Sequence, residues 1–156
     1  MRIHLLGTGT PNPDPRRCGS GTALTLDPTS DWLLVDCGRG VTQRALEAEL
    51  DLRNLRAVFL THHHSDHVSD LANLAIARLV AGAATPLPVV VPAGPCARFA
   101  ESCLDAFDDM AFYSQRRAGE ALRPAIEVDP FRATGELTIV HEGPSATVEA
   151  LSLIHI

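Results

Sequence analysis

Residues 60–70 read LTHHHSDHVSD, and this short stretch holds four of the chain's seven histidines and two of its aspartates. It follows an apolar run, Ala57 to Leu60, that predicts a buried strand. After it, apolar residues recur at the spacing of an amphipathic helix. A solvated loop between two such elements needs no crowding of imidazoles and carboxylates. We therefore interpret the stretch as a metal site.

The spacing of the cluster supports this interpretation. His62 and His64 lie two residues apart on a segment leaving a strand, so their side chains project to the same side. Asp66 and His67 follow at the start of the predicted helix and point into the same space. Neutral imidazole and carboxylate ligands suit zinc, and also manganese or iron. His63 alternates away from its neighbours, and we predict that it binds no metal.

Two plainer explanations compete with a metal site. Single histidines are more often structural or surface residues than ligands, and adjacent histidines can be solvated or belong to a purification tag. A tag would lie at a chain terminus and would lack the interleaved aspartates. The position between a predicted strand and a predicted helix therefore favours metal binding.

Composition limits the possible classes of protein. The chain has 156 residues, of which 46% are hydrophobic, as one globular domain with a packed core requires. Its formal charge of -6 gives no sign of a basic face for nucleic acid or of a polybasic run for a membrane. The start, MRIHLLGTGTP, is too short for a signal sequence, and no apolar window approaches about 18 residues. We expect a cytoplasmic protein with no membrane contact, whose four cysteines are free thiols because no two lie close together in the sequence.

Strand and helix patterns alternate along the chain and predict an α/β sandwich rather than a helical bundle. The segment from Met110 to Thr134 gives no clear pattern. The predicted strands are Ile3 to Leu5, Ala23 to Leu26, Asp31 to Asp36, Ala57 to Leu60, LPVVVP between residues 86 and 95, and an antiparallel hairpin made by ELTIVHEG and ATVEALSLIHI. The predicted helices start at Gly40, run from Ser65 as N-cap to Gly82, and span Cys96 to Phe107.

Three motifs together resemble one known family. GTGTPNPDPRRCGSGT, LLVDCGRG and VFLTHHHSDH occur in that order at residues 7–22, 33–40 and 58–67. The combination is similar to the metallo-β-lactamase fold superfamily of metallohydrolases, in the branch of ribonuclease Z and the arylsulfatase-like enzymes. The resemblance implies a metallo-β-lactamase-like αββα sandwich in which two βα halves face each other. Residues 1–156 would be the first half only, a single domain truncated at its C-terminal end.

The same resemblance assigns the ligands. His62 and His64 would bind a first zinc ion, and Asp66 and His67 a second. Asp66 would also be catalytic, handling a proton of the attacking water. Asp36, at the tip of its strand, would orient the histidine loop by hydrogen bonds, although it could equally be a simple turn-forming aspartate.

The family has further ligands downstream of this cluster. By resemblance, a third metal-binding histidine follows a strand of the form V-x-A-x-x-x-x-H, and His155 stands at that spacing after Val148 and Ala150. His141 is then more simply structural. The bridging aspartate and last histidine of the family would lie beyond this chain. Without them we expect an exposed sheet and helix face, weak metal binding and little or no activity.

Several functions follow from the resemblance. The leading one is hydrolysis of a small anionic phosphoester or sulfate ester by a metal-activated water, as in arylsulfatase-like enzymes. The alternative is ribonuclease Z, which cuts precursor tRNA at its 3' end, but residues 96 to 134 contain arginines without a single lysine. A third possibility, from another class, is a catalytically incomplete metal-binding half-domain. A dimer is plausible by resemblance alone.

The loop after the first strand carries one further expectation. In the family this loop borders the active-site edge, so Arg16 or Arg17 is expected near the metal site. The alternative is that both are solvated charges in a turn.

Overall fold

The computed structural model describes residues 1–25, 31–83, 85–107, 123–132, 134–143 and 146–152. Eight strands and four α-helices are formed within these residues. The strands are β1 (Arg2–Gly7), β2 (Gly21–Thr25), β3 (Trp32–Val35), β4 (Leu55–Phe59), β5 (Leu87–Pro92), β6 (Ile126–Phe131), β7 (Thr138–Glu142) and β8 (Thr147–Ala150). The helices are α1 (Val41–Glu47), α2 (Ser65–Val68), α3 (Leu71–Val80) and α4 (Pro95–Ser102), with 3₁₀ turns at Leu52–Asn54 and Asp105–Phe107.

The first six strands form one sheet in sequence order. β1, β2 and β3 pair antiparallel, whereas β3, β4, β5 and β6 pair parallel. Because β1 and β3 both run antiparallel to β2, their carboxyl ends lie at the same edge of the sheet as the carboxyl end of β4. The loops after β1, β3 and β4 therefore meet at that edge, and these loops carry the three motifs described above.

Apolar residues are buried on both faces of this sheet. Alternation along β3 sends Leu34 into the larger core under the helices and Leu33 into a smaller cluster on the opposite face. The smaller cluster is covered by the β7–β8 hairpin, through Val140 and Val148. The hairpin that ELTIVHEG and ATVEALSLIHI predict is thus present, although the end of its second segment lies outside the described residues.

Part of the sheet surface remains uncovered in the described structure. Ile3 and Leu5, on the edge strand β1, are 57% and 72% exposed. On the β7–β8 side, Leu137 and Ile139 are 64% and 52% exposed. The expectation that such exposure reflects a missing half of the sandwich stays a prediction. Among the described residues, no helix has the length and apolarity needed to cross a membrane.

The structure differs from the sequence analysis in two elements: one expectation was wrong, and one strand was not predicted. The single helix predicted from Ser65 to Gly82 is broken into α2 and α3, because the backbone N–H and the carboxylate of Asp70 form hydrogen bonds with neighbouring loops. Its backbone N–H donates to the Cys37 carbonyl and its carboxylate accepts from the Thr42 N–H. The residue preceding α2 is His64, which makes no side-chain capping bond. The second difference is β6, a strand in the segment that gave no clear pattern.

Candidate metal centre

Asp36 follows the last residue of β3 and lies at the centre of the loops at this edge. It is only 4% exposed, and its backbone has a φ of 60°, a conformation that non-glycine residues seldom adopt. Its Oδ1 accepts hydrogen bonds from the Thr61 backbone N–H at 2.9 Å and from the Thr61 hydroxyl at 2.8 Å. Its Oδ2 accepts from Ser20 Oγ at 3.2 Å and from Nδ1 of His67 at 2.6 Å. One buried carboxylate thus connects three loops.

The three histidines predicted as ligands in this loop come together. The ring centroids of His62 and His67 are 4.1 Å apart, and those of His62 and His64 are 4.5 Å apart. From the alternation of side chains, His62 and His64 would be the closest pair, but His62 is closer to His67 than to His64. His63 is exposed and its ring centroid lies 5.4 Å from that of His64.

Asp66 completes the cluster. It is 6% exposed, and its Oδ2 lies 3.5 Å from Nε2 of His67. Its Oδ1 is buried and has no hydrogen-bond partner among the described residues. A buried carboxylate oxygen without a donor is costly in a folded protein, and such an atom calls for a proton or a cation.

The backbone around Asp66 explains two glycines of the sequence motifs. The Asp66 carbonyl oxygen accepts a hydrogen bond from the Ser20 N–H at 2.7 Å. A Cβ atom on Gly38 would overlap that carbonyl oxygen, and a Cβ on Gly19 would lie 2.6 Å from it. The loops after β1 and β3 can approach the Asp66 backbone only because both positions lack a side chain.

The electrostatic environment favours neutral imidazole at His62. Burial, followed by the nearby rings of His67 and His64, lowers the pKa of His62, while the carboxylates of Asp36 and Asp66 act in the opposite direction. A neutral imidazole keeps the lone pair that metal coordination requires.

The donor set fits a zinc-type ion. Imidazole nitrogens of His62, His64 and His67 and the unpartnered Oδ1 of Asp66 are the ligand types that zinc takes, and the acidic site would favour a cation. In the described part of the chain, no three His, Cys, Asp or Glu side chains are already arranged as a closed ligand set. His67 Nε2 and Asp66 Oδ2 face each other at 3.5 Å.

The remaining predicted residues have different outcomes. His155 lies outside the described residues. His141, expected to be structural, packs its ring edge-on against Phe59, with centroids 5.4 Å apart. Sequence reasoning missed Thr61 and Ser20 as partners of Asp36. Only the position of Thr61, directly before the first histidine of the motif, could have drawn attention to it.

The loop between β1 and β2 leaves from the same edge of the sheet. Gly7 and Gly21 are paired at the ends of these strands, Thr22 is paired with Val35, and Ser20 bonds to Asp36. Arg16 and Arg17 belong to this loop, and the expectation that one of them lies near the metal site stays a prediction. They line a cavity of about 520 Å³ together with residues of β1 and α1, including His4 and Arg44.

The charge of this cavity is mostly positive, and we call it the arginine cleft (His4, Arg16, Arg17 and Arg44 in its lining). Arg16 pairs with Asp14 at 3.2 Å, and Arg44 pairs with Glu47 at 2.6 Å. Asp14 and Arg17 line a second, adjacent cavity of about 280 Å³. Three arginines thus gather locally in a chain whose net charge is -6, and two of them are ion-paired with acids.

The sequence of the chain is similar to those of bacterial ribonucleases Z. Ribonuclease Z of Mycobacterium bovis is 40% identical over 137 residues, which cover 85% of this chain and 48% of that protein. Ribonuclease Z of Pseudomonas putida is 41% identical over 93 residues, covering 60% of this chain and 29% of that protein. The chain thus spans about half the length, or less, of the curated relatives it matches.

Solved structures share the fold. Human tRNase Z, short form, superposes with a TM-score of 0.69 at 20% identity, covering 98% of this chain and 60% of that chain. The metallo-beta-lactamase fold protein YhfI from Bacillus subtilis has a TM-score of 0.59 at 21% identity, covering 87% of this chain and 48% of that chain. The expected metallo-β-lactamase-like α/β fold is confirmed.

A sequence model of the metallo-beta-lactamase superfamily matches residues 16–149, which include the loops at the sheet edge and the histidine cluster. With that match over most of its length, the chain belongs to the metallo-beta-lactamase superfamily.

Proposed function

We propose that this chain contributes the histidine-rich half of a ribonuclease Z-type active site, which hydrolyses a phosphodiester bond of precursor tRNA. The observation that carries the proposal is the 40% identity to a ribonuclease Z over 137 residues, a span that covers 85% of the chain. Both the hydrolysis and the RNA substrate are part of the proposal, because the chain covers 48% of that relative.

The metal ligands within the described residues are proposed as the sequence assigns them. His62 and His64 would hold one zinc ion, and Asp66 and His67 a second, with manganese or iron as alternatives. When bound, such ions lower the pKa of water and neutralise charge on phosphate oxygens. His155 remains a proposed additional ligand.

The chain's own side chains supply positioning and proton transfer. Asp36 holds His67 through Nδ1, which leaves Nε2 facing the cluster. The Asp66 carboxylate, whose Oδ1 is buried and without a donor among the described residues, is the group that we propose accepts a proton from the attacking water.

The arginine cleft favours RNA over a small ester. A single sulfate or phosphate monoester needs only the metal site and one cationic contact. A nucleic acid places successive phosphates several Å apart, so that contacts away from the reacting atom strengthen binding. The guanidinium groups of Arg16 and Arg17, on the loop that leaves from the same sheet edge, and of Arg44, on α1, are proposed to provide such contacts. The arylsulfatase-like activity, which the sequence motifs favoured, therefore becomes the second candidate.

The experiment joins this chain, from residue 1 to residue 156, to the remaining C-terminal part of the Mycobacterium bovis relative. Zinc binding is titrated, and three substrates are compared: a precursor tRNA with a 3' trailer, bis-p-nitrophenyl phosphate and p-nitrophenyl sulfate. We expect cleavage of the tRNA trailer. Preferential turnover of the sulfate ester would reject the RNA substrate and favour the arylsulfatase-like candidate.

Neighbouring histidines provide matched controls. His64→Ala in the chimera should abolish cleavage, because the His64 ring packs against that of His62 in the cluster. His63→Ala should retain it, because His63 alternates away from the proposed ligands. The 156-residue chain is assayed in parallel. A chimera as inactive as the chain alone, although folded and zinc-loaded, would support the third possibility, a metal-binding half-domain without catalysis.

A further inference from the structure

Thr61 stands between the central carboxylate and the first histidine of the cluster. Its Oγ1 lies 2.8 Å from Oδ1 and 3.1 Å from Oδ2 of Asp36, and 3.0 Å from Nδ1 of His62. A hydroxyl group has one hydrogen to donate and two lone pairs that accept. The three distances therefore determine which way the hydrogen bonds run.

The carboxylate of Asp36 can only accept, so the hydrogen of the Thr61 hydroxyl must point to Asp36. The contact with His62 is then satisfied only if Nδ1 of His62 carries a hydrogen and donates it to Thr61 Oγ1. In a neutral imidazole a hydrogen on Nδ1 leaves Nε2 without one. We propose that Thr61 is a positioning residue, which relays the charge of Asp36 to His62 and fixes that ring in the tautomer whose Nε2 is free to bind a cation.

The relay gives His62 and His67, the first and last histidines of the motif, the same kind of link to Asp36. His67 donates from Nδ1 directly to Asp36 at 2.6 Å, and His62 donates from Nδ1 to the same carboxylate through one hydroxyl. Both rings thus present Nε2 to the cluster under the control of Asp36. The Thr61 backbone N–H also donates to Asp36 at 2.9 Å, which holds the relaying residue itself in place.

The inference rests on the proposed role of His62 as a ligand, but its first test needs no metal. In the metal-free chain at a pH where His62 is neutral, long-range proton–nitrogen NMR of the imidazole rings reports which nitrogen carries hydrogen. His62→Gln assigns the signals. We expect an unprotonated Nε2 in the wild type and in Thr61→Ser, which keeps the hydroxyl. In Thr61→Val, which has nearly the same shape without the hydroxyl, the ring should shift to Nε2–H or to a mixture. Wild-type His62 protonated at Nε2, or a Thr61→Val spectrum like that of the wild type, would overturn the proposal.

Zinc affinity provides the second readout. Loss of a group that orients a metal-binding histidine reduces metal affinity by roughly 10–100-fold, so Thr61→Val should bind zinc that much more weakly than Thr61→Ser. Equal affinities of the two variants would overturn the relay. Circular dichroism checks that both variants fold, and if Thr61→Val does not, the tautomer of His62 in the wild type and in Thr61→Ser decides. If no variant binds zinc, the proposed function fails, while the tautomer comparison still judges the relay.

Discussion

His67 donates a hydrogen bond from Nδ1 to Oδ2 of Asp36 over 2.6 Å, and this bond ties the start of α2 to the end of β3. The carboxylate also accepts from Ser20 and twice from Thr61. The site is therefore organised around an acceptor rather than around the histidines themselves. A side chain of the same shape that cannot accept at both oxygens should disturb every loop at this edge.

Asp36→Asn makes that substitution. The amide nitrogen would face donors, and each buried donor left without an acceptor costs about 1–3 kcal/mol. We expect the free energy of unfolding, measured with urea, to fall by about 1–3 kcal/mol for each donor left without an acceptor. Zinc affinity should fall roughly 10–100-fold. Glu47→Gln is the control: it breaks an exposed ion pair with Arg44, so stability should change by less than about 1 kcal/mol. Equal effects of the two substitutions would contradict the central role of Asp36.

The strands and the donor set of the site could be predicted from the sequence because their signals are local. Apolar runs bounded by polar and turn residues mark β3, β4 and β5, and the spacing of His62, His64, Asp66 and His67 is itself the motif. The roles of Ser20 and Thr61 could not be predicted, because each depends on a hydrogen bond to Asp36 across 16 or 25 residues of sequence.

The break within the predicted helix also arises from contacts between residues distant in the sequence. The break between α2 and α3 occurs because Asp70 forms hydrogen bonds with Cys37 and Thr42. The apolar periodicity of residues 65–82 gives no sign of these bonds. β6 was missed because IEVDPF contains a proline and two acids. Those residues are tolerated where the strand pairs with β5 on one side and forms the end of the sheet on the other.

Gly38→Ala tests the close approach of the loops. The new Cβ would overlap the carbonyl oxygen of Asp66, which is backbone and cannot move without shifting the histidine loop. We expect a loss of more than about 2 kcal/mol in the free energy of unfolding, together with weaker zinc binding. Gly135→Ala is the matched control, because its Cβ would meet no atom within 4 Å and stability should change by less than about 1 kcal/mol. A Gly38→Ala variant as stable as the control would show that the loops can separate at no cost.

The free energy of unfolding should fall at alkaline pH, because two thiols have raised pKa values in the folded chain. Burial, with a smaller contribution from the charge of Asp36, raises the pKa of Cys96 from 9.0 to about 11, and burial raises that of Cys103 to about 11. Between pH 9 and 11 the unfolded chain has lost these protons while the folded chain keeps them. Unfolding then releases protons, so the free energy of unfolding should be constant below pH 9 and fall as the pH rises to 11.

Urea unfolding from pH 8 to 11 in the presence of a reductant measures this decline. Cys96→Ala should be less stable at every pH, because it leaves a small cavity in the core, but its decline above pH 9 should be shallower. The double variant with Cys103→Ala should be shallower again. Identical slopes in all three proteins would mean that other groups govern the alkaline loss.

Arg17→Gln tests the arginine cleft as the surface that holds RNA phosphates. Arg17 lines both cavities, so a phosphate bound there should lose its charge contact in this variant. Each phosphate contact to single-stranded nucleic acid contributes about 0.7 to the slope of log affinity against log salt concentration. We expect weaker binding of a fluorescently labelled single-stranded RNA at low salt, and a slope reduced by about 0.7.

Arg53→Gln is the control, because Arg53 is exposed in the 3₁₀ turn at Leu52–Asn54 and is not among the residues lining the cleft. Fluorescence anisotropy over a series of salt concentrations gives both quantities, and an Arg17→Gln slope equal to those of the wild type and the control would exclude the cleft from RNA binding.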